Sequence, residues 1–267
     1  MLSGALSLKW GRVHSIGRRD MKKLSWITSI LVCAAVLLAA IGSVCGAIGQ
    51  IAGDAQFYSG MSRAAVTKYL GAENDPQADA KVTEYIGLTD AEQTAFAAET
   101  SAFMRGETDV QPDILSEKEQ QHMLDVRALV TAAADMSRTY MAIAAVLAVA
   151  AAWTAARLEK RFMPKAIGAL VAVSIVMMLV SSVMDDIESL GFAQVFVQMH
   201  EALFQNDLWL MNPETDILIR MMPQPLFEQA LLNAAGTALR LMTVSVLMLA
   251  AVHFIVERML RRHVIKS

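Results

Sequence analysis

Charged side chains are scarce in this sequence. Asp, Glu, Lys and Arg make up 18% of its 267 residues and 55% are hydrophobic, whereas a soluble domain usually carries about 25% charged residues. This composition argues against a soluble enzyme. Aromatic residues are also few, at 6%, which fits a helical protein rich in alanine and methionine. The formal net charge of −3 gives no basic excess, so we expect no nucleic-acid partner.

Cysteine is nearly absent. The two that occur, Cys33 and Cys45, lie in the first long apolar run. If that run is one helix, their spacing separates them by about 18 Å along the axis, which excludes a disulfide between them. We interpret both as small packing residues.

Long runs without charge are the main positive feature. A helix needs about 20 residues to cross a bilayer, and four runs fit this length once flanking residues are included. We therefore predict an all-α integral membrane protein with four transmembrane helices. The predicted spans are residues 24–48, 140–156, 166–184 and 237–256.

A cleaved signal peptide is the alternative interpretation of the first run. Its 25 uncharged residues exceed the core of about 7–15 residues that a signal peptide has, and no A-x-A cleavage site is evident. Both observations favour an uncleaved helix. Met21-Lys22-Lys23 looks like a natural start, which leaves residues 1–20 as an upstream extension or an N-terminal tail.

Basic residues are unevenly distributed among the segments that join the spans. Residues 1–23, 157–165 and 257–267 together hold 14 Lys or Arg and three acids, a formal charge of +11. Residues 49–139 and 185–240 hold nine Lys or Arg and 23 acids, a formal charge of −14. Positive residues favour the cytoplasmic side, so we predict that both termini and residues 157–165 are cytoplasmic.

Two helical extracytoplasmic regions follow from this orientation, at residues 49–139 and 185–236, because Thr237 and Arg240 extend the fourth helix to the outer boundary. Both regions then face one compartment. We therefore expect them to form one site at the outer face.

The first of these regions contains helix signals and a histidine. A helix is predicted around Asp90 to Phe103, and Ser116 with Glu119 forms a capping-box pattern that starts a helix directed towards the second span. On that helix Asp125 lies within i+3 reach of His122. Taken alone, His122 is as compatible with a solvated helix surface as with catalysis.

The second region is denser in apolar residues. Residues 192–204 have helical periodicity, with His200 on the apolar stripe, where a histidine is either packed or used in chemistry. Trp209 is typical of an interfacial anchor. The stretch 217–222 is apolar enough to lie in the membrane interface.

Common catalytic motifs are missing. His200-Glu201 is not the zinc-protease pattern, because Phe204 occupies the position of its second histidine. There is no G-x-S-x-G nucleophile elbow, and both cysteines are far from the loops. What remains is His122 and His200, since the other histidines lie at the predicted cytoplasmic side. A histidine pair suits general acid–base catalysis near neutral pH.

Two motifs, together with the four spans, resemble the lipoprotein intramolecular transacylases of Gram-positive bacteria. The resemblance extends over roughly residues 21–262. The first motif is short and the second is longer and more specific. They consist of His122, Met123, Asp125 and Val126, and of His200, Leu203, Phe204, Asn206, Trp209, Pro213, Asp216, Leu218, Ile219 and Pro223. The sequence departs from the family pattern at Asn212 and Gln224, where acids are expected.

The resemblance implies an enzyme of the bacterial cell membrane. Such enzymes move the sn-2 acyl chain of a diacylglyceryl-modified lipoprotein to the α-amino group of its N-terminal cysteine, which leaves a lyso-form lipoprotein. The family's two histidines match His122 and His200. The expected partners are this diacylated lipoprotein and membrane lipid, with no cofactor and no metal.

Four further residues have supporting or substrate-binding roles in this hypothesis. Asp125 would orient His122, which makes His122 the better candidate for the base. Asn206 and the Trp209 indole are candidate donors to the oxyanion, and Asp216 belongs to the second motif.

Two other function classes fit the same residues. One is a non-catalytic membrane protein that binds a partner through its outer loops. The other is a metal-dependent hydrolase that uses the two histidines and a carboxylate. Lipoprotein modification distinguishes the first from an acyltransferase, and sensitivity to a chelator identifies the second.

Overall fold

The computed structural model describes residues 18–158 and 162–266, and this part of the chain is helical without a β-strand. The predicted all-α fold is therefore confirmed. Residues 1–17 and part of the predicted loop 157–165 lie outside the described residues. The helices are α1 (Arg18–Ala52), α2 (Ser62–Tyr69), α3 (Ala78–Ile86), α4 (Asp90–Met104), α5 (Glu117–Ala155), α6 (Phe162–Leu190), α7 (Phe192–Leu203), α8 (Ile217–Met221) and α9 (Gln224–Lys266), with a π-helical turn at Phe57–Met61.

Helix α5 begins where its sequence predicts. The Ser116 side chain accepts a hydrogen bond from the Glu119 backbone, and the Glu119 carboxylate accepts one from the Ser116 backbone. This capping box satisfies backbone donors that every helix N-terminus leaves free. The helix then continues without a break for 39 residues, so His122 and the second predicted span belong to one element.

Within the described residues, three helices are long and apolar enough to cross a membrane. They contain Arg19–Ala52, Glu117–Ala155 and Gln224–Met259. In α6 the apolar stretch is shorter, Ile167–Val180, although the helix has 29 residues. The count of four transmembrane helices therefore stays a prediction.

Small residues form the contact between the long helices. Helix α1 packs against α5, α6 and α9. The Ser137 hydroxyl donates to the Gly42 carbonyl at 2.7 Å, and the backbone of α6 passes so close to α1 that a Cβ at Gly168 would lie 2.3 Å from the Ser29 carbonyl oxygen. Small side chains allow helices in lipid to approach this closely.

A second core lies between the ends of α1, α5 and α9. We call it the loop core. It forms because the shorter helices α2, α3, α4 and α8 each bury an apolar face against it. Its fully or nearly buried members include Phe57, Tyr58, Val66, Val82, Ile86, Phe96, Phe103, Met123, Leu218, Met221 and Leu226.

The stretch 217–222 is part of this loop core and does not form an exposed interfacial segment. Leu218 is 3% exposed and Met221 is 1% exposed, and the Ser62 hydroxyl donates to the Met221 carbonyl. The position of this stretch relative to the membrane interface stays a prediction. Its apolar residues are covered by α2 and α3, which are distant in sequence.

Candidate active site

His122 and His200 face each other. His122 is in the first turns of α5 and His200 is near the end of α7, and their ring centroids are 6.4 Å apart with planes inclined by 28°. Both side chains are buried, at 7% and 9% exposure. The two histidines singled out by sequence are thus brought together from segments 78 residues apart.

Aromatic rings surround this pair. The His200 ring lies 4.0 Å from Phe196 and 5.0 Å from Trp209, between centroids. Phe204 contacts both histidines, at 5.1 Å from His122 and 5.5 Å from His200. The rings keep water away from the imidazoles and restrict their orientation.

His200 has a defined tautomer. Its Nδ1 lies 2.8 Å from the Phe196 carbonyl oxygen, and since a carbonyl only accepts, Nδ1–H is the donor. In the neutral ring the lone pair is then on Nε2. Burial lowers the pKa of His200, while the bond to Phe196 acts in the opposite direction.

The His122 ring has different surroundings from the His200 ring. Among the described residues, its Nδ1 is buried and has no hydrogen-bond partner. Burial and the neighbouring His200 lower its pKa to about 4, Asp125 opposes this shift, and Lys118 adds to it. An imidazole with so low a pKa is neutral at pH 7.

Asp125 lies near His122 but its hydrogen bond goes elsewhere. Its carboxylate accepts from the Asn206 side-chain N–H at 2.9 Å, and the Asn206 side-chain Oδ1 accepts from the Leu208 backbone N–H at 3.1 Å. Asp125 and Asn206 therefore connect α5 to the segment after α7. The action of Asp125 on His122 in this structure is electrostatic.

Asp216 organises the end of the same segment. Its carboxylate accepts from the Asn212 backbone at 2.8 Å and from the Thr215 hydroxyl at 3.0 Å, and Lys118 lies 3.4 Å away. Burial works against ionisation, but these bonds outweigh it and the pKa of Asp216 lies below its ordinary value.

A cleft of about 460 Å³ adjoins the histidine pair. It is open to the surface, and Phe204 and Trp209, which contact the histidines, form part of its wall. Its lining residues are Val197, Glu201, Phe204, Gln205, Asn206, Asp207, Trp209 and Leu210.

Lys118 and Glu119 take part in this arrangement in ways the sequence did not indicate. The capping-box pattern accounts for the contacts of Glu119 within its own helix. Lys118 also bonds to Leu210, and Glu119 also bonds to Leu218, in each case more than 90 positions later in the chain. No local sequence pattern indicates such long-range pairs.

Comparison with known proteins gives a consistent result. A family model described as lipoprotein intramolecular transacylase Lit matches residues 76–227, which is more than half of the chain. No curated protein sequence matches significantly.

Solved structures of the membrane-integral lipoprotein intramolecular transacylase Lit from Bacillus cereus are similar. A variant with a histidine-to-arginine mutation has a TM-score of 0.56 at 16% identity, over 92% of this chain and 97% of that chain. A histidine-to-alanine variant has a TM-score of 0.50 at 15% identity, over 91% and 96%. At such identities the similarity concerns the fold alone.

Proposed function

This chain belongs to the lipoprotein intramolecular transacylase family and is an acyltransferase, and we propose that His122 and His200 catalyse its reaction. The proposed reaction moves the sn-2 acyl chain of a diacylglyceryl-modified lipoprotein to the α-amino group of the N-terminal cysteine. The meeting of the two buried histidines is the observation that carries the proposal.

The proton balance of this reaction suits two histidines. A C–N bond forms while the sn-2 ester C–O bond breaks, and the attacking nitrogen, initially an ammonium, loses two protons. One proton goes to the departing glycerol oxygen and the other to solvent. One neutral imidazole takes the ammonium proton, and the second carries a proton from nitrogen to the leaving oxygen.

The lowered pKa values of both rings support these roles, because both imidazoles are neutral at pH 7 before the substrate arrives. Two imidazolium rings 6.4 Å apart would repel each other, so protons pass through the pair one at a time. His200 offers a lone pair at Nε2 and is well suited to the first transfer. This assignment differs from the expectation from sequence that His122 is the base, since Asp125 bonds to Asn206.

Donor ester and acceptor amine belong to the same substrate, so binding alone supplies proximity. We place the cysteine terminus in the cleft beside Phe204 and Trp209. The second Asn206 N–H and the Trp209 indole N–H are the nearest candidate donors to the oxyanion. Asp125 would keep Asn206 in place.

We further propose four transmembrane helices with both termini cytoplasmic and the site at the outer face. The long helices carry large apolar side chains that are exposed in the protein itself, such as Trp26 at 68%, Val146 at 66% and Leu247 at 65%. Lipid would cover these surfaces. The charge distribution between the connecting segments sets the direction.

The test is mass spectrometry of a diacylated lipoprotein produced with this protein in a host that lacks other N-acylation. We expect the lyso-form with an N-acylated cysteine, and its loss in His122→Ala and in His200→Ala. Gln198→Ala is the matched control, since Gln198 is an exposed residue of the same helix as His200. Full activity in both histidine variants would refute the proposed pair.

A further inference from the structure

A buried carboxylate lies three residues before His122. Glu119 is 1% exposed, and its Oε2 accepts from the Ser116 backbone at 2.9 Å and from the Ser116 hydroxyl at 2.7 Å. Its Oε1 accepts from the Leu218 backbone N–H at 2.7 Å. Glu119 therefore caps its own helix and bonds to the start of α8, 99 residues later in the chain.

The bond from the Leu218 N–H to Glu119 takes the place of a capping bond from the N-cap residue of α8. Asp216 stands at the N-cap position of α8 but makes no capping bond to it, because its carboxylate is bonded to Asn212 and Thr215. The Leu218 N–H is buried, and a buried donor without a partner costs about 1–3 kcal/mol. The Glu119 carboxyl group satisfies this donor.

The preceding residue contacts the other end of the same segment. Lys118 Nζ donates to the Leu210 carbonyl and pairs with Asp216. Lys118 and Glu119 together thus fix residues 210–218 to the first turn of α5. Trp209, whose ring contacts His200, comes directly before this segment.

We propose that Glu119 is a positioning residue for the proposed acyl transfer, on which this inference rests. By tying residues 210–218 to the turn that precedes His122, it sets the position of Trp209 and His200 relative to His122. Reacting groups must be placed to within a fraction of an ångström, and displacement by about 1 Å can cost two orders of magnitude in rate.

The chain contains a matched control for this role. Helix α4 starts with the same capping box, in which Glu92 accepts from the Thr89 backbone and hydroxyl, both at 2.7 Å. Both of these contacts of Glu92 are within its own capping box. Glu119→Gln and Glu92→Gln therefore weaken the same local motif, and only the first also weakens a bond to α8.

We expect Glu119→Gln to lower kcat per folded molecule at least about tenfold with KM within about twofold of wild type, in proteoliposomes with a diacylated lipopeptide. Glu92→Gln should keep both constants within twofold. Equal small effects in the two variants, or a loss explained fully by the folded fraction, would overturn the positioning role.

A second measurement needs no substrate. Carbethoxylation of His122 and His200 by diethyl pyrocarbonate, followed by mass spectrometry, should be several-fold faster in Glu119→Gln and unchanged in Glu92→Gln. Unchanged reactivity in Glu119→Gln refutes the inference even if acyl transfer is observed. Faster reactivity of the two histidines in Glu119→Gln, combined with no lyso-form from the wild-type protein, would show that Glu119 holds the histidine pair in place and would refute the proposed function.

Discussion

The two histidines of the site are buried among aromatic rings, and burial disfavours the imidazolium form at each of them. For His122 the pKa falls to about 4, whereas an exposed histidine has a pKa of about 6.5. The residue therefore remains a neutral base well below neutral pH.

The rate of acyl transfer should persist on acidification to a lower pH than an ordinary histidine permits. Because burial lowers the pKa of both His122 and His200 and both rings must be neutral, we expect half of the activity to be lost below about pH 6.5. Initial rates in proteoliposomes between pH 4 and 8 measure this. A midpoint at or above 6.5 would contradict a buried histidine base.

Stability should follow the same titration. Between about pH 6.5 and 4 the unfolded chain binds a proton at His122 that the folded protein does not, so the free energy of unfolding decreases as the pH falls through this window. Thermal unfolding in detergent at several pH values gives the slope. His122→Asn should make that slope shallower, and an unchanged slope would exclude His122 as its source.

Asp125 is predicted to influence His122 through its charge. Asp125→Ala removes the bond to Asn206 and the charge that opposes the lowered pKa of His122. We expect about tenfold lower activity and an acid limb shifted to still lower pH. Asp109→Ala is the control, because Asp109 pairs with Arg127 at the surface and its side chain is 96% exposed. Similar losses in both variants would argue against this role.

Among the helices, those with local signals were predictable and those covered by distant segments were not. The capping box at Ser116 predicted the start of α5, which is found at Glu117–Ala155. The apolar periodicity after Gly191 predicted α7, which is found at Phe192–Leu203. For α8, the apolar pattern indicated that the side chains are shielded from water but did not identify the residues that cover them. The covering residues belong to α2 and α3, and no local rule connects them.

The contact between α1 and α6 should be intolerant of any side chain at Gly168. A Cβ there would lie 2.3 Å from the Ser29 carbonyl oxygen, whereas one at Gly236 meets nothing within 4 Å. Gly168→Ala is expected to destabilise by about 1–3 kcal/mol. Gly236→Ala should stabilise by up to about 1 kcal/mol, since alanine favours helix.

Thermal unfolding midpoints of the two alanine variants in detergent provide the comparison. A lower midpoint for Gly168→Ala and an unchanged or higher one for Gly236→Ala are the expected outcomes. Equal midpoints would mean that α6 does not approach α1 this closely in the folded protein.

For the whole molecule, the small net charge of −3 conceals a strong polarity. The segments assigned to the inside carry +11 and those assigned to the outside carry −14. The sequence predicted from this that His122 and His200 share one compartment. The charge distribution does not determine the distance between His122 and His200, which depends on how α5 and α7 pack.

The orientation predicts a labelling pattern. In a Cys33→Ala/Cys45→Ala background, Asp113→Cys should react with a membrane-impermeant maleimide in intact cells, and Arg258→Cys only after permeabilisation. Asp113 and Arg258 are both exposed, so access depends on the membrane alone. The reverse pattern would place the site inside.

The continuity of α5 joins the predicted second span and His122 in one helix. Ser137, which bonds to α1, and His122 are 15 residues apart, about 22 Å along the axis. Over that length a change in tilt of about 5° moves the end of a straight helix by about 2 Å, and transmembrane helices adapt their tilt to bilayer thickness. We therefore expect the initial rate of acyl transfer to differ between proteoliposomes made from short-chain and from long-chain lipids, and equal rates would contradict this coupling.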